Sequence, residues 1–195
     1  IPEAEAFAMA DRIGVMHQGR LLEVGSPDEL YARPRTRFVA TFLGAANLLL
    51  GYRKGNDLRF ERPGAEAVTP REIVAVIRPE EVELTTGNIP DGLTHVGSGT
   101  IQELQFSGPT ERLRVRMPME GPVPATPDRE GADGGGWLLD ASRTFPEQRA
   151  NPLAVGQRVT VSARRIHSLP TPISSFTVIA REMAAAQALR DLIGK

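Results

Sequence analysis

The sequence predicts a mainly β protein with helices at its two ends, and three observations support this class. Short β-like runs between residues 45 and 165 are separated by glycine and proline, as in small barrels. Helical periodicity is confined to the first 44 residues and to residues 176–195. Glycine and proline supply 19 and 16 of the 195 residues, so turns are frequent. The middle of the chain is expected to form one small barrel or a pair of them.

The first two elements are a helix and a hairpin. Residues 3–11 are rich in Ala and Glu and carry apolar residues at helical spacing, so one helix face can be buried. The apolar residues of 13–15 and 21–24 lie on either side of Gln18 and Gly19. Because glycine adopts positive φ without strain, this pair predicts a tight turn between two short strands.

Two capped helices follow the hairpin. Ser26-Pro27-Asp28-Glu29 combines an N-cap hydroxyl, proline in the first turn and an acid three residues past the cap. This helix must end before Pro34, which removes a backbone donor, and Gly44 is the expected C-cap of the second helix. Four apolar side chains are expected to be exposed when this segment stands alone: Phe7, Phe38, Phe42 and Leu43. Such exposure favours association with a partner.

Seven strands are predicted beyond residue 44: Leu58–Glu61, Ile73–Ile77, Val82–Leu84, Gly99–Phe106, Arg112–Met117, Trp137–Asp140 and Arg158–Ala163. Ile73–Ile77 is continuously apolar, which is typical of a strand covered on both faces. In Arg112–Met117, arginine alternates with apolar residues, which predicts one buried face and one solvated face.

Composition excludes several classes of protein. The absence of cysteine excludes a disulfide scaffold, and the net charge of -1 argues against strong attraction to nucleic acid or an anionic membrane. No apolar run reaches the roughly 18 residues of a spanning helix. The three histidines, His17, His95 and His167, lack ligand spacing, so no metal site is expected.

Two parts of the chain resemble the ATP-binding subunits of ABC importers. Residues 5–20, with segments 23–31 and 38–44, resemble the end of their nucleotide-binding domain. Arg78-Pro79-Glu80-Glu81-Val82-Glu83-Leu84 resembles the Arg-Pro-Glu-x-Val-x-Leu element of the transport-associated OB-fold (TOBE) domain, and residues 99–115 resemble its second characteristic run. The resemblance implies an OB-fold-like small barrel with a helical N-terminal segment.

The predicted organisation has three parts. Residues 1–44 are the remnant of the nucleotide-binding domain, and residues 45–175 are the TOBE-like regulatory domain with a mobile, Pro- and Gly-rich loop at 118–136. Residues 176–195 form an amphipathic C-terminal helix. That helix either docks on its own barrel or pairs with a second copy.

The resemblance implies a regulatory and dimerising module that couples ATP hydrolysis to solute uptake. The sequence contains no phosphate-binding loop, so we expect no catalytic residue and no cofactor in this chain, with ATP and Mg²⁺ held by the rest of a longer parent ATPase. Expected partners are a second copy, with exchange of N-terminal elements, and the transporter's membrane subunits and solute-binding protein. The expected location is the inner face of the cell membrane.

Two groups of residues are candidate contact sites. Arg112, Arg114 and Arg116, together with Ser98 and Thr100, could bind an anion or an acidic partner, although such a stripe is also typical of a solvated sheet face. An oxyanion sensor of the sulfate or molybdate type and an OB-fold nucleic-acid binder are the alternative functions.

The second group is expected at a domain interface. Arg78, Glu80 and Glu81 are candidates to pair across the junction between the two main parts, with Arg78 matched to an acid. The alternative is a purely structural role, since an Arg-Pro pair also fixes the end of a strand.

Overall fold

The computed structural model describes residues 3–54, 57–64, 72–118 and 136–170. The elements of the first part, residues 3–44, here called the N-terminal block, are α1 (Glu3–Met9), β1 (Ile13–His17), β2 (Arg20–Gly25), α2 (Pro27–Ala32) and α3 (Arg37–Phe42). The β domain, residues 45–170, contains β3 (Asn47–Lys54), β4 (Asp57–Pro63), β5 (Glu72–Ile77), a 3₁₀ turn (Pro79–Glu81), β6 (Val82–Thr85), β7 (Thr94–Phe106), β8 (Thr110–Pro118), β9 (Gly136–Thr144), α4 (Phe145–Ala150), β10 (Arg158–Ala163) and β11 (His167–Ser168). The predicted C-terminal helix and residues 119–135 of the predicted loop lie outside the described residues.

The strands form three antiparallel sheets. The β1–β2 hairpin stands alone, a five-stranded sheet has the order β6-β10-β7-β8-β9, and a four-stranded sheet has the order β11-β5-β3-β4. The β domain contains a curled, half-barrel sheet. The predicted class, mainly β with an OB-fold-like β domain and a helical N-terminal segment, is confirmed.

The two larger sheets share one hydrophobic core. Buried side chains of the four-stranded sheet, such as Leu49 and Ile77, pack with Ile101, Val115 and Leu139 of the five-stranded sheet. Because side chains alternate along a strand, every second residue of β8 from Leu113 to Met117 and of β9 from Trp137 to Ala141 points into this core, whereas bulges interrupt the alternation in β7. Removing these side chains from water is the main stabilising contribution to the β domain.

Strand β5 is covered on both faces, as its apolar sequence predicts. Ala75 and Ile77 face the main core, whereas Val74 and Val76 pack in a second cluster with Ala40 of α3. The second cluster therefore joins the N-terminal block to the β domain through apolar contact.

The hairpin turn and the capping box predicted for the N-terminal block are confirmed. Gln18 and Gly19 have φ values of 48° and 75° at the hairpin turn. Ser26 and Glu29 form a complete capping box at α2, which ends at its C-cap residue Arg33. The prediction of Gly44 as the C-cap of α3 is wrong by one residue: the C-cap is Leu43, and Gly44 follows it with a φ of 148°.

The expected exposure of apolar side chains in this block is only partly correct. Phe42 is 45% exposed, and Phe7 and Phe38 are half-buried. The prediction is wrong for Leu43, which is buried with Val15, Leu30 and Val39. The hairpin packs against α2 and α3, so β1, β2, α2 and α3 form a small hydrophobic core.

Candidate functional site

The junction between the N-terminal block and the β domain is organised around Arg78. This residue lies just after β5, and Pro79 starts the 3₁₀ turn that follows it. The Arg78 side chain is buried, and its guanidinium donates five hydrogen bonds to four backbone carbonyls. The acceptors are the carbonyl oxygens of Tyr31 (3.2 and 2.8 Å), Ala40 (2.7 Å), Gly44 (3.2 Å) and Ala45 (3.1 Å).

Two of these acceptors, the carbonyls of Tyr31 and Ala40, lie in the last turns of α2 and α3, and those of Gly44 and Ala45 follow the end of α3. The last four carbonyls of a helix have no partner within it, and they carry partial negative charge. Arg78 supplies both the donors and the positive charge, and thereby ties α2 and α3 to the β domain. Burial lowers the pKa of Arg78, but arginine remains charged because its ordinary pKa is so high.

Tyr31 completes the contact from the side of the N-terminal block. The Arg78 guanidinium lies 4.0 Å from the centre of the Tyr31 ring, and the Tyr31 hydroxyl donates a 2.5 Å hydrogen bond to Glu80 Oε1. Burial and the neighbouring Glu80 carboxylate raise the pKa of Tyr31 to about 12. The phenol is therefore neutral and donating throughout the physiological range.

Hydrogen bonds of two further residues, His167 and Glu23, hold this region together. His167 Nε2 lies 2.6 Å from the carbonyl oxygen of Pro34, between α2 and α3. The buried carboxylate of Glu23 accepts from the backbone N–H groups of Arg35 (2.9 Å) and Thr36 (2.8 Å) and from the Thr36 hydroxyl (2.6 Å). Glu23 thus fixes the hairpin to the start of α3.

The arginine stripe lies on the outer face of β8, as predicted, while Leu113, Val115 and Met117 face the core. Strand register places each arginine in a row across β7, β8 and β9. The rows are Gln105–Arg112–Ser142, Glu103–Arg114–Asp140 and Thr100–Arg116–Leu138. The three rows differ in how their charges are satisfied.

The middle row is neutralised internally. Arg114 Nε lies 3.0 Å from Asp140 Oδ1, and Arg114 Nη1 lies 3.4 Å from Glu103 Oε2. The hydrogen bond that Arg114 donates to Asp140, together with the negative charge of Asp140, raises the pKa of Arg114. In the row of Arg112, by contrast, none of the three side chains has a polar partner within the described part of the chain.

A cavity of about 390 Å³ lies where these rows meet the junction. One wall carries Arg112 and Arg114 with their row neighbours, and the other is formed by Tyr31, Ala45, Pro79 and Glu80. Tyr31 and Glu80 therefore belong both to the Arg78 contact and to the cavity wall.

Some of the predicted contact residues line the cavity and others do not. Arg112 and Arg114 line the cavity, as does Glu80. Arg116, which bonds Gln102 at 3.1 Å, and Ser98 and Thr100 lie along the strands outside the cavity lining.

The prediction of an acidic partner for Arg78 is wrong, because the guanidinium bonds backbone carbonyls instead. The pattern of charged residues in the sequence does not reveal such acceptors. The Glu81 carbonyl accepts from the backbone N–H of Arg164, so Glu81 is tied within the β domain. The sequence-based prediction missed Tyr31, Glu103, Asp140, Gln105 and Ser142. The last two could have been found only from strand register.

Neither a metal centre nor a spanning helix is found in the ranges described above. No three acidic or histidine side chains in these ranges converge as ligands, and none of these helices has the length and hydrophobicity to cross a bilayer. His17 instead stacks on Phe38, with ring centres 4.0 Å apart.

Comparison with known proteins gives consistent relatives. The chain is 36% identical over 165 residues to the sn-glycerol-3-phosphate import ATP-binding protein UgpC of Rhodopseudomonas palustris, covering 83% of this chain and 42% of that protein. It is 33% identical over 170 residues to the uncharacterized ABC transporter ATP-binding protein YdcT of Escherichia coli (86% and 41%). It is 36% identical over 125 residues to the spermidine/putrescine import ATP-binding protein PotA of Thermobifida fusca (58% and 32%).

No protein-family model matches the chain. Among solved structures, the cytoplasmic molybdate-binding protein ModG aligns with a TM-score of 0.39 and 13% identity, covering 64% of this chain and 96% of that one. An alignment of that extent carries no argument about the ligand of this chain.

The sequence relatives place the chain among importer-associated proteins. It is a homologue of the ATP-binding subunits of ABC importers. The chain spans about a third to two fifths of the length of the curated relatives it matches.

Proposed function

We propose that this chain is the regulatory and dimerising TOBE module of an ABC importer ATP-binding subunit, joined to the end of its nucleotide-binding domain. The parent protein binds ATP and Mg²⁺ and hydrolyses ATP in a part outside this chain. The module couples that hydrolysis to solute uptake from the inner face of the membrane, where the parent contacts the membrane subunits and, through them, the solute-binding protein.

The observation that carries the proposal is the contact of Arg78 with the helix ends. A coupling element must transmit displacement of one domain to the other. The guanidinium contacts both α2 and α3, and α3 also packs on the second apolar cluster of the β domain. The N-terminal block and the β domain therefore move together, and a rotation of the nucleotide-binding domain is transmitted to the β domain.

A second observation concerns the opposite side of the N-terminal block. An apolar groove of about 530 Å³ is lined by α1, β1 and the end of α3, with Phe7, Ile13 and Phe42 among its residues. Met9 is 86% exposed and Met16 62% exposed beside it. Exposed apolar surface of this kind favours a docked partner, and in our proposal the partner is the remainder of the nucleotide-binding domain.

The dimerising role is tested by a distance measurement in the full-length parent. This chain contains no cysteine, so Val155→Cys, at a 62% exposed position, introduces a single spin-label site in the β domain once any cysteines elsewhere in the parent are replaced. We expect a defined label-to-label distance between two copies both with ATP and without nucleotide. Loss of the dipolar signal whenever nucleotide is absent would contradict a β domain that holds the pair together.

A further inference from the structure

We propose that the cavity beside Arg112 is a binding site for a small organic anion with a single acidic group and several hydroxyl groups, such as a sugar acid or a sugar phosphate. The inference goes beyond the coupling role and does not depend on it, because it concerns the binding of a ligand to this chain alone.

The acidic end of the ligand is recognised by the row Gln105–Arg112–Ser142. A guanidinium, an amide and a hydroxyl stand side by side on three adjacent strands, directly paired in register. All three are donors, and none has a polar partner within the described residues. Such a set matches the oxygens of a carboxylate or phosphate, which arginine binds through two parallel hydrogen bonds.

The neighbouring row limits the charge that the ligand can carry. Arg114 is already shared by Asp140 and Glu103, so this row presents two carboxylates for one guanidinium. A second acidic group on the ligand would face these carboxylates. The site therefore accepts one anionic end, placed at Arg112, and disfavours a dianion with separated charges.

The opposite wall recognises the neutral part of the ligand. Glu80 presents a carboxylate, and the Tyr31 oxygen retains acceptor capacity while its proton bonds Glu80. Hydroxyl groups donate to such acceptors, and Ala45 and Pro79 provide apolar surface between them. The volume of about 390 Å³ lies in the range of sites for small metabolites, whereas an inorganic oxyanion would leave most of it to water.

The test is calorimetric titration of the full chain with four probes: gluconate, glucose 6-phosphate, glucose and inorganic phosphate. Gluconate or glucose 6-phosphate is expected to bind at least about tenfold more tightly than glucose, which lacks the acid, and than phosphate, which lacks the hydroxyl groups. Arg112→Gln is expected to weaken that binding at least about tenfold, the effect of losing one charge-assisted contact. Ser142→Ala should weaken it by a smaller factor.

The matched control is Arg158→Gln. Arg158 is an exposed arginine of β10, in the same sheet but outside the cavity lining. The Arg158→Gln variant should bind the ligand with a dissociation constant within about twofold of the wild-type value, because salt screens the attraction between the ligand and an exposed charge outside the cavity. Arg112 is exposed and unpaired, so its variant is expected to fold normally, which a melting curve checks.

Three outcomes would overturn the proposal. The first is the absence of binding for both gluconate and glucose 6-phosphate. The second is binding of phosphate as tight as that of the sugar derivatives, which would make the site a plain oxyanion site. The third is an equal loss in Arg112→Gln and Arg158→Gln. Each is independent of the spin-label distance, so the ligand site and the dimerising role can fail separately.

Discussion

The guanidinium of Arg78 lies 4.0 Å from the centre of the Tyr31 ring and donates two hydrogen bonds to the Tyr31 carbonyl oxygen. The ring, the carbonyl and the hydroxyl of Tyr31 thus all contact the Arg78-Pro79-Glu80 segment. The segment therefore has a defined structural role. It binds the C-terminal ends of two helices to a β domain.

Replacing Arg78 with methionine should destabilise the protein strongly. Four carbonyl groups in or just after the two helices lose their donor, one of them in a buried contact and three in partly buried ones, and a buried unsatisfied group costs roughly 1–3 kcal/mol. We expect urea unfolding to show a loss of at least about 3 kcal/mol. Arg158→Met, at an exposed site, should change stability by no more than about 0.5 kcal/mol. Equal effects of the two changes would refute the assigned role of Arg78.

The Tyr31→Phe variant distinguishes the contribution of the hydroxyl from that of the ring. The variant keeps the surface under Arg78 and loses the hydrogen bond to Glu80, which should cost about 1 kcal/mol at neutral pH. Urea unfolding of the two proteins checks this value. A loss above about 3 kcal/mol would mean that the hydroxyl, rather than the ring and the carbonyl, dominates the contact.

The same variant tests the raised pKa of Tyr31. Since the folded pKa is about 12, against an ordinary value of 10, the contribution of the phenol is complete below pH 10 and is lost as the pH rises through 12. Ultraviolet titration of phenolate formation should show a component near pH 12 in the wild type. That component should disappear in Tyr31→Phe, and its persistence would show that it belongs to another tyrosine.

Glu23→Gln should loosen the start of α3. Glu23 Oε2 accepts from Arg35 N–H, and Glu23 Oε1 accepts from Thr36, so an amide NH₂ must face a donor at one of the two positions. A loss of about 2 kcal/mol in denaturant unfolding is expected for a buried charged acceptor. Glu61→Gln, on the exposed side of β4, is the control and should have almost no effect. Similar losses of stability in both variants would contradict the role of Glu23 in fixing the hairpin to the start of α3.

Glu147 should make the stability of the β domain depend on pH. Its carboxylate accepts from the Thr144 backbone N–H at 2.7 Å and lies 2.7 Å from Arg164, and these contacts hold its pKa below the usual 4.5. A lowered folded pKa gives stability that is present above pH 4.5 and is lost as the pH falls below it. Melting curves should show Glu147→Gln less stable by about 1 kcal/mol at neutral pH, with the difference shrinking as the pH falls below 4.5. A gap that is constant with pH would contradict this role.

The sequence was most informative where structure is local. The capping box at Ser26, the turn at Gln18 and Gly19 and the strand at Ile73–Ile77 follow from signals only a few residues long, and all three are confirmed. The box at Thr144 and Glu147 carries the same signal, and α4 could have been predicted from it. Strand β3 was missed because its leucines end at Gly51, where the strand continues through a bulge.

The site depended on pairing between distant residues. Only the strand register brings Arg112 next to Gln105 and Ser142. The Arg78 side chain contacts carbonyls that are more than 30 positions away in the sequence. A backbone acceptor leaves no trace in residue type, so an acid was the natural expectation for Arg78. The predicted domain boundaries stay predictions. The predicted contact role of Arg112 and Arg114 also stays a prediction, and both residues line the cavity of about 390 Å³.

In our proposal, the contact at Arg78 transmits motion between the nucleotide-binding domain and the β domain. Its most direct test is the number of solute molecules taken up per ATP hydrolysed by the full-length parent, reconstituted with its membrane subunits and solute-binding protein. With Arg78→Met we predict that ATP hydrolysis continues while uptake per ATP falls severalfold, and that Arg158→Met leaves the ratio unchanged. An unchanged ratio in a folded, assembled Arg78→Met transporter would contradict the account.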